Sequence, residues 1–416
     1  MTDALSNHNA MELSFPRKIR IVDLIAGPSE DWYWQAGEST HRFHLRCGEP
    51  PISFVEPMAV SMLGAWASHQ RNQGHEVIVD DTLKSPASFN SGLLSAIAGR
   101  DGGPPSPNHR FARLTSERQA MELLDPLVEK MNLPKAAERV AVHCLSDLAD
   151  NVFHHASAGR QGAFCSIAYD PSTSRVRLAV ADCGQGISAS IGPSYDGELD
   201  DEASVLLALE PEFSGKSARP EVNRGVGLYV VRRLALAASG AFCALTEELS
   251  VQASARSPSD FIPRISRSKQ RWKGTAIAVT FTADGADFDG PIAAIRDEIE
   301  GRGPKYSDIH FFKKSEPTIG WTHVKIGCDN GKFALSRERA LAIAKVNAPL
   351  LAAGAKIEFD FTGIVQATQA FCHALLVTLL QAGGDDALSR LRFAGCSRHT
   401  RTPIRFAVNF VTDGQP

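Results

Sequence analysis

The stretch LSDLADNVFHHAS, residues 145–157, decides how the middle of the chain is interpreted. It places Asp147 and Asn151 four residues apart and follows them with two adjacent histidines. Apolar residues recur at every fourth position through the same region: Val140, Cys144, Leu148 and Val152. This spacing predicts an amphipathic helix in which Asp147 and Asn151 share a polar stripe beside the apolar one.

The polar stripe is compatible with a metal site, a phosphate site or an ordinary solvated helix face. A zinc site needs histidines at i and i+4 together with a third ligand. His154 and His155 are adjacent, so they point about 100° apart on a helix and cannot both reach one metal without distortion. The stripe alone is typical of a solvated face, and the rest of the chain has to decide whether it is more than that.

The composition is that of a globular protein with more than one domain. The 416 residues exceed the size of a single hydrophobic core, and 43% are hydrophobic and 22% charged. The net charge of -3 provides no general basic field, which disfavours nucleic acid and anionic membranes as partners. We find no apolar run long enough for a transmembrane helix and no signal peptide. The eight cysteines include no CxxC pair, which favours reduced thiols and a cytoplasmic location.

Two glycine-containing motifs follow the helix. In VRLAVADCGQGI an apolar strand ends in Asp182, and Gly184 and Gly186 follow. A carboxylate beside glycines can accept a hydrogen bond from the exocyclic amine of a planar ligand. In NRGVGLYVVRRL, Gly225 and Gly227 precede a helix, whose free N–H groups and dipole favour phosphate.

A third motif, WKGTAIAVTF, opens a strand with Gly274 and Thr275. Each motif alone also fits a simple glycine-rich turn or helix start. Lys216 and Arg219, in the span before Gly225, are candidates to contact a γ-phosphate, although we favour solvated loop charges.

The ordered set of four motifs resembles the Bergerat-fold ATPases, the superfamily that contains gyrase, the histidine kinases, the mismatch-repair ATPases and the anti-sigma serine kinases. The resemblance covers about residues 110–285 and implies a two-layer α/β sandwich that holds ATP between a sheet and a helical layer. It implies these roles: Asn151 as the Mg²⁺ ligand, Asp182 at the adenine amine, Gly184 and Gly186 along the base, Gly225, Gly227 and Leu228 at the phosphates, and Thr275 in support of the adenine contact. An amide oxygen is a reasonable ligand for Mg²⁺, which is a hard ion.

One residue departs from the superfamily pattern. Asp147 stands where the superfamily has a Glu that acts as general base or polariser in several members. Asp is one methylene shorter, so its reach to an attacking water or hydroxyl is reduced. The resemblance therefore implies that the region binds ATP. It also implies that Asp147 is a catalytic residue and that hydrolysis or phosphotransfer of ATP is slow.

The carboxyl-terminal segment AKIEFDFTGIVQATQAFCHALLVTLL resembles the central strand, turn and helix of a STAS-like domain, the anti-sigma-antagonist fold. Antagonist domains carry an acceptor serine where this helix starts. Thr368 stands close to that position, and we favour a helix N-cap over a phosphate acceptor for it. A fainter match near the amino end has Glu56 and Pro57 at the corresponding place, without any hydroxyl. The two matches reflect a weak internal symmetry in which strand, turn and helix occur at 52–72 and again at 357–381.

We therefore expect an α/β protein with a Bergerat two-layer sandwich flanked by two small STAS-like domains. The expected boundaries are 1–16 for a tail, 17–105 for a STAS-like domain, 106–300 for the ATP-binding domain and 301–416 for a second STAS-like domain. The basic stretch 264–273 could contact nucleic acid or an acidic partner, and we favour a solvated, mobile hairpin tip for it.

The leading functional hypothesis is an intracellular regulatory protein that binds ATP and Mg²⁺, and whose nucleotide state controls how the STAS-like domains contact a regulatory protein partner. One alternative is a serine/threonine kinase of the anti-sigma class. Another is a slow ATPase that homodimerises as an ATP-dependent clamp. No membrane contact is expected in any of these cases.

Overall fold

The protein is represented by a computed structural model, and its structure is described for a defined set of segments. These are residues 10–19, 42–48, 51–100, 108–156, 162–191, 200–210, 227–256, 263–300, 309–312, 320–327, 332–384 and 386–413. They form helices together with parallel and antiparallel sheets. The expected α/β class is confirmed.

The chain divides into two compact units. The first contains residues 1–190, 231–255 and 264–288, and the second contains 191–230, 256–263 and 289–416. These units do not follow the boundaries expected from the sequence. Those boundaries rest on resemblance to domain families rather than on compactness, and they stay a prediction.

A small parallel sheet begins the first unit. Strands β1 (Ala10–Phe15), β3 (Arg42–Cys47) and β5 (Glu76–Val79) pair in that order, all parallel. A separate parallel pair joins β2 (Lys18–Ile19) to β4 (Phe54–Val55). Helix α1 (Pro57–Asn72) connects β4 to β5. Pro57 is its first residue, where a missing N–H has no consequence because that N–H would have no partner in the helix.

The second sheet of this unit is antiparallel and has five strands in the order β6-β7-β8-β10-β9. The strands are β6 (His109–Leu114), β7 (Ala163–Asp170), β8 (Arg175–Ala181), β9 (Ala241–Ser254) and β10 (Arg264–Thr282). The expectation that 264–273 forms a hairpin tip is wrong, because this stretch lies within β10 and pairs with β9, although Arg267 and Arg271 are exposed to solvent as expected. Two of its basic residues form ion pairs with acids of β9, Arg267 with Glu248 and Arg271 with Glu247.

Helix α1 is buried almost all round between the two sheets. One continuous core contains the apolar residues of β1 and β3, those of α1, and residues such as Phe164, Ala179 and Ala276 from the antiparallel sheet. Small side chains allow this close packing. A Cβ at Gly64 would lie 2.4 Å from the Phe164 ring, and the Ser61 hydroxyl is 2.8 Å from the Ser166 hydroxyl. Helix α1 therefore joins the parallel and antiparallel sheets into one core.

The remaining helices of the first unit are α2 (Pro86–Asn90), α3 (Leu93–Ile97), α4 (Glu117–Glu129), α5 (Lys135–His155) and α6 (Gly186–Ile191). Helix α5 is the one predicted from residues 145–157. Its four apolar positions, from Val140 to Val152, are all buried. The predicted apolar stripe is confirmed.

The second unit contains a parallel sheet in the order β11-β16-β14-β12 and a short parallel pair of β13 with β15. The strands are β11 (Phe311–Phe312), β12 (Trp321–Lys325), β13 (Phe333–Ala334), β14 (Lys356–Asp360), β15 (Gln366–Ala367) and β16 (Leu391–Ala394). The later helices of the chain are α7 (Asp201–Ala208), α8 (Gly227–Ala237), α9 (Asp289–Glu300), α10 (Arg337–Ala352), α11 (Gln369–Gly383) and α12 (Arg398–Asp413). Helices α10, α11 and α12 pack with the parallel sheet in a single apolar core.

The two units contain the same arrangement of strands and helix. In the first, β1, β3 and β5 form a parallel sheet, β2 pairs with β4, and α1 runs from β4 to β5. In the second, β12, β14 and β16 pair in parallel, β13 pairs with β15, and α11 runs from β15 to β16. The weak symmetry of the sequence thus corresponds to a repeated topology, with α1 equivalent to α11.

Candidate functional site

Helix α5 presents Asp147 in a partly desolvated position. The side chain is 26% exposed, and burial, assisted by the charge of Asp150, raises the pKa of Asp147 to about 7. His143 lies one turn earlier, with its Nε2 3.5 Å from Asp147 Oδ2. Burial lowers the pKa of His143, so the imidazole is neutral at pH 7 and the two do not form an ion pair there. Asp147 is therefore a carboxyl poised to change protonation near neutrality.

Asn151, one turn after Asp147, carries an unsatisfied polar atom. Its Nδ2 is buried and has no hydrogen-bond partner among the described residues. A buried amide donor without a partner costs about 1–3 kcal/mol and is rare in folded proteins. Such an atom is expected where a bound ligand or ordered water completes the hydrogen bonding.

Asp182 is the buried acid at the end of β8, which finishes at Ala181. Only 2% of Asp182 is exposed, and its Oδ1 accepts a hydrogen bond of 2.7 Å from the Gly184 N–H. Burial raises the pKa of Asp182 to about 7, although the backbone N–H groups of Gly184 and Thr275 lower it. The strand thus ends in a buried carboxyl that accepts a backbone hydrogen bond.

The loop after Asp182 is attached to the carboxyl end of α5. The Gln185 N–H donates to the Ala156 carbonyl at 2.8 Å, and a Cβ at Gly184 would lie 2.1 Å from the same oxygen. Asn151 precedes Ala156 by five residues, which is about 7.5 Å along a helix axis. The structure therefore brings two sequence-predicted motifs, the helix with Asn151 and the loop of Asp182, into one region.

Strand β10 brings the third motif to Asp182. The Thr275 carbonyl accepts from the Asp182 N–H at 2.9 Å, and the Trp272 indole N–H donates to the Asp182 carbonyl at 3.2 Å. Gly274 has φ +96°, and a Cβ there would lie 2.4 Å from the Asp182 carbonyl oxygen. Thr275 is thus adjacent to Asp182 through the backbone, and its predicted role in supporting an adenine contact stays a prediction.

Thr246 of β9 belongs to the same cluster and was missed from the sequence. Its buried hydroxyl donates to the Gly274 carbonyl at 3.0 Å and accepts from the Ile187 N–H at 3.1 Å. Thr246 pairs with Thr275 in the sheet, but only the strand register reveals this. Gly186, with φ +80°, lies against Thr246, so the backbone conformation accounts for this glycine. The predicted contact of Gly184 and Gly186 with a base stays a prediction.

The residues predicted at the phosphates are placed only in part. Gly227 and Leu228 are the first residues of α8. Gly225, Lys216 and Arg219 lie outside the described residues. Their phosphate-binding roles therefore stay predictions.

The histidine that follows Asn151 has a partner on a neighbouring helix. His154 Nε2 lies 3.8 Å from Glu117 Oε1 at the start of α4. The side chain of His155 lies outside the described parts of the chain. His154 thus faces an acid from another helix.

Thr368 is the N-cap of α11. Its hydroxyl is fully buried, accepts from the Phe371 N–H at 3.1 Å and lies 3.4 Å from the Leu335 carbonyl. The N-cap interpretation is confirmed. A hydroxyl in this position is withdrawn from any phosphate donor unless the helix start opens.

Within the described segments, no helix combines the length and the apolar character that crossing a bilayer requires. A search of curated proteins found no match to the chain. Residues 343–400, which run from within α10 to the start of α12, match a family model described as a STAS-like domain of unknown function (DUF4325). This match covers much less than half of the chain, and the Bergerat resemblance of the central region rests on its motifs. The carboxyl-terminal part of the chain is thus similar to a STAS-like domain, as its sequence predicts, which is consistent with a regulatory role.

Proposed function

We propose that the central region of the chain, residues 106–300, binds ATP with Mg²⁺, and that the bound nucleotide regulates how the STAS-like part contacts a protein partner. The observation that carries this proposal is the convergence of three sequence-distant motifs at one buried carboxyl. Asp182 bonds to Gly184 in its own loop and to Thr275 in β10, while the same loop bonds to Ala156 at the end of α5. Stability alone does not require a buried acid at this point.

Asp182 is suited to recognise adenine. A buried carboxylate can accept a hydrogen bond from the exocyclic amine of adenine, and a hydrogen bond to a charged group contributes about 1.5–3 kcal/mol. Guanine presents a carbonyl oxygen at the equivalent position, which the carboxylate would repel. The site is therefore expected to prefer ATP to GTP.

The residues of α5 fit a magnesium ion held mainly by phosphates. Mg²⁺ usually keeps several waters and takes one or two protein ligands together with substrate phosphates. Within the described residues, no group of three His, Cys, Asp or Glu side chains could hold a metal ion. Asn151 would contribute its Oδ1, and its unsatisfied Nδ2 would face the phosphate or water oxygens. The ion would neutralise phosphate charge.

Asp147 lies one helical turn before Asn151, where a base for an attacking water or hydroxyl would be needed. A pKa of about 7 is appropriate for a general base at neutral pH. The side chain is one bond shorter than the Glu found in related ATPases, and a misplacement of about 1 Å can reduce a rate by about a hundredfold. We therefore expect turnover to be slow.

Isothermal titration calorimetry on the full chain tests the proposal. Wild type should bind ATP in the presence of Mg²⁺ and bind GTP much more weakly. Asp182→Ala should weaken ATP binding roughly ten- to hundredfold. Asp125→Ala, at an exposed position of α4, is the matched control and should not change the affinity. Unchanged ATP affinity in Asp182→Ala, or equal affinity for ATP and GTP in wild type, would overturn the assignment.

A further inference from the structure

The start of α11 is held by a carboxylate from a distant part of the chain. Glu210 Oε1 accepts a hydrogen bond of 2.7 Å from the Gln369 N–H, across 159 residues of sequence. Glu210 is 3% exposed and Gln369 is 2% exposed, so the bond is shielded from water. Gln369 is the first helical residue of α11, and its N–H has no partner within the helix.

The chemistry of this contact favours an ionised acid. A helix start carries partial positive charge, so a carboxylate there is stabilised, and a charge-assisted bond is stronger than a neutral one. The negative charge of Glu210 also affects the thiol of Cys372, one turn into α11. Burial, together with the negative charge of Glu210, raises the pKa of its thiol well above the usual value. Thr368 already caps the Phe371 N–H, so Glu210 adds a second and independent restraint on the same helix start.

Glu210 follows a short helix that is hydrogen-bonded at both ends. We refer to residues 200–210 as the Glu210 segment. Asp200 caps α7 by accepting from the Ala203 N–H at 2.7 Å, and the Glu210 N–H closes the other end of the helix onto the Leu207 carbonyl at 3.0 Å. One side of α7, including Val205 and Leu207, is buried. The acid is therefore fixed by an ordered, capped helix.

The position of this segment in the chain relates the Glu210–Gln369 contact to the proposed nucleotide site. The Glu210 segment follows the loop of Asp182 and Gly186 and precedes Gly227, so candidate nucleotide residues stand on both sides of it in sequence. It belongs to the same compact unit as α11, and α11 lies within residues 343–400, the STAS-like match. The Glu210 segment therefore lies, along the chain, between residues proposed to bind the nucleotide, and it contacts the start of α11.

We infer that the Glu210–Gln369 contact couples the nucleotide site to the STAS-like part of the chain. This inference rests on the proposed function, and it specifies how that function is regulated. When the Glu210 segment moves, α11 loses the carboxylate at its buried start, and this end of the helix is less restrained. Because coupling between two sites is reciprocal, loosening this contact must also change the affinity for nucleotide.

Hydrogen–deuterium exchange of the full chain, with and without ATP and Mg²⁺, tests the inference. The variants are Glu210→Ala, which removes the acceptor, and Glu210→Gln, which keeps an acceptor oxygen and loses the charge. Glu202→Gln, at an exposed acid of the same helix, is the matched control. Without nucleotide, the amides at the start of α11 should exchange roughly ten- to hundredfold faster in Glu210→Ala than in wild type. Exchange in Glu210→Gln should be faster by an intermediate factor, and exchange in the control should be unchanged.

The nucleotide response separates the inference from the proposed function. ATP with Mg²⁺ should change exchange at the start of α11 in wild type by about fivefold or more, and Glu210→Ala should lose this response and show a similar change in ATP affinity. If wild type binds ATP but both exchange and affinity are the same in Glu210→Ala, the coupling is refuted and the proposed function stands. If wild type binds no ATP, the proposed function fails and the coupling fails with it. If Glu210→Ala is too unstable to measure, Glu210→Gln decides by the same criteria.

Discussion

Replacing Asp182 by Asn should make the protein without nucleotide more stable at neutral pH while it weakens nucleotide binding. Burial raises the pKa of Asp182 to about 7. The unfolded chain releases this proton near pH 4, whereas the folded chain keeps it until about pH 7. The contribution of Asp182 to stability is therefore fully present below about pH 4 and is lost as the pH rises towards 7.

The magnitude follows from the size of the pKa shift. Each pH unit between the two pKa values changes the free energy of unfolding by about 1.4 kcal/mol, so a shift of about three units corresponds to about 4 kcal/mol. Asn cannot ionise and retains an oxygen to accept from the Gly184 N–H, so Asp182→Asn avoids this loss. The stability difference between variant and wild type should grow between pH 5 and 7 and become constant above 7. The pKa of Asp147 is also raised, but its effect is common to both proteins and cancels.

Urea unfolding followed by tryptophan fluorescence measures this difference. Trp66 and Trp272 are buried in the first unit, and the Trp272 indole N–H donates to the Asp182 carbonyl. Unfolding of wild type, Asp182→Asn and the exposed control Asp125→Asn should be compared from pH 5 to 8.5. If Asp182→Asn and wild type keep a constant stability difference over this range, the carboxyl does not titrate near neutrality and the reasoning is refuted.

Three further predictions concern the packing and chemistry of single residues. Gly64→Ala should lower the free energy of unfolding by about 1–3 kcal/mol, because the new methyl group meets the Phe164 ring; an unchanged urea midpoint would show that the packing around α1 is looser. Thr368→Val should cost about 1 kcal/mol through loss of the cap to Phe371, and intact-mass spectrometry after incubation with ATP should detect no phosphate on wild-type Thr368. Asp147→Glu should keep ATP affinity near wild type and speed single-turnover hydrolysis or transfer of labelled ATP; slower turnover would show that the site is built around the shorter acid.

Features set by local sequence were predictable. The period of the apolar residues in α5, the start of α1 at Pro57 and the cap at Thr368 all follow from residues within one or two helical turns. The repeated topology could also be anticipated, because the strand–turn–helix pattern occurs twice. Local patterns determine local structure, and these elements depend on little else.

Features set by distant contacts were not predictable. The burial of α1 against the antiparallel sheet depends on pairs such as Gly64 with Phe164, about a hundred residues apart. Thr246 and Glu210 have ordinary sequence surroundings, and only the fold reveals the backbone groups that they bind. The same reason explains the incorrect expectation for residues 264–273. A run of basic residues was interpreted as a solvated tip, but it pairs with the neighbouring strand β9, whose acids Glu247 and Glu248 form ion pairs with two of its arginines.

Calorimetric titration of ATP, with Mg²⁺ and with a chelator, into wild type and Asn151→Ala tests the central claim most directly. The account predicts that wild type binds ATP and that removing Mg²⁺ weakens this binding. Asn151→Ala should bind ATP weakly under both conditions, because it lacks the amide that is proposed to hold the metal. Absence of ATP binding by wild type would contradict the account, as would a Mg²⁺ dependence in Asn151→Ala equal to that of wild type.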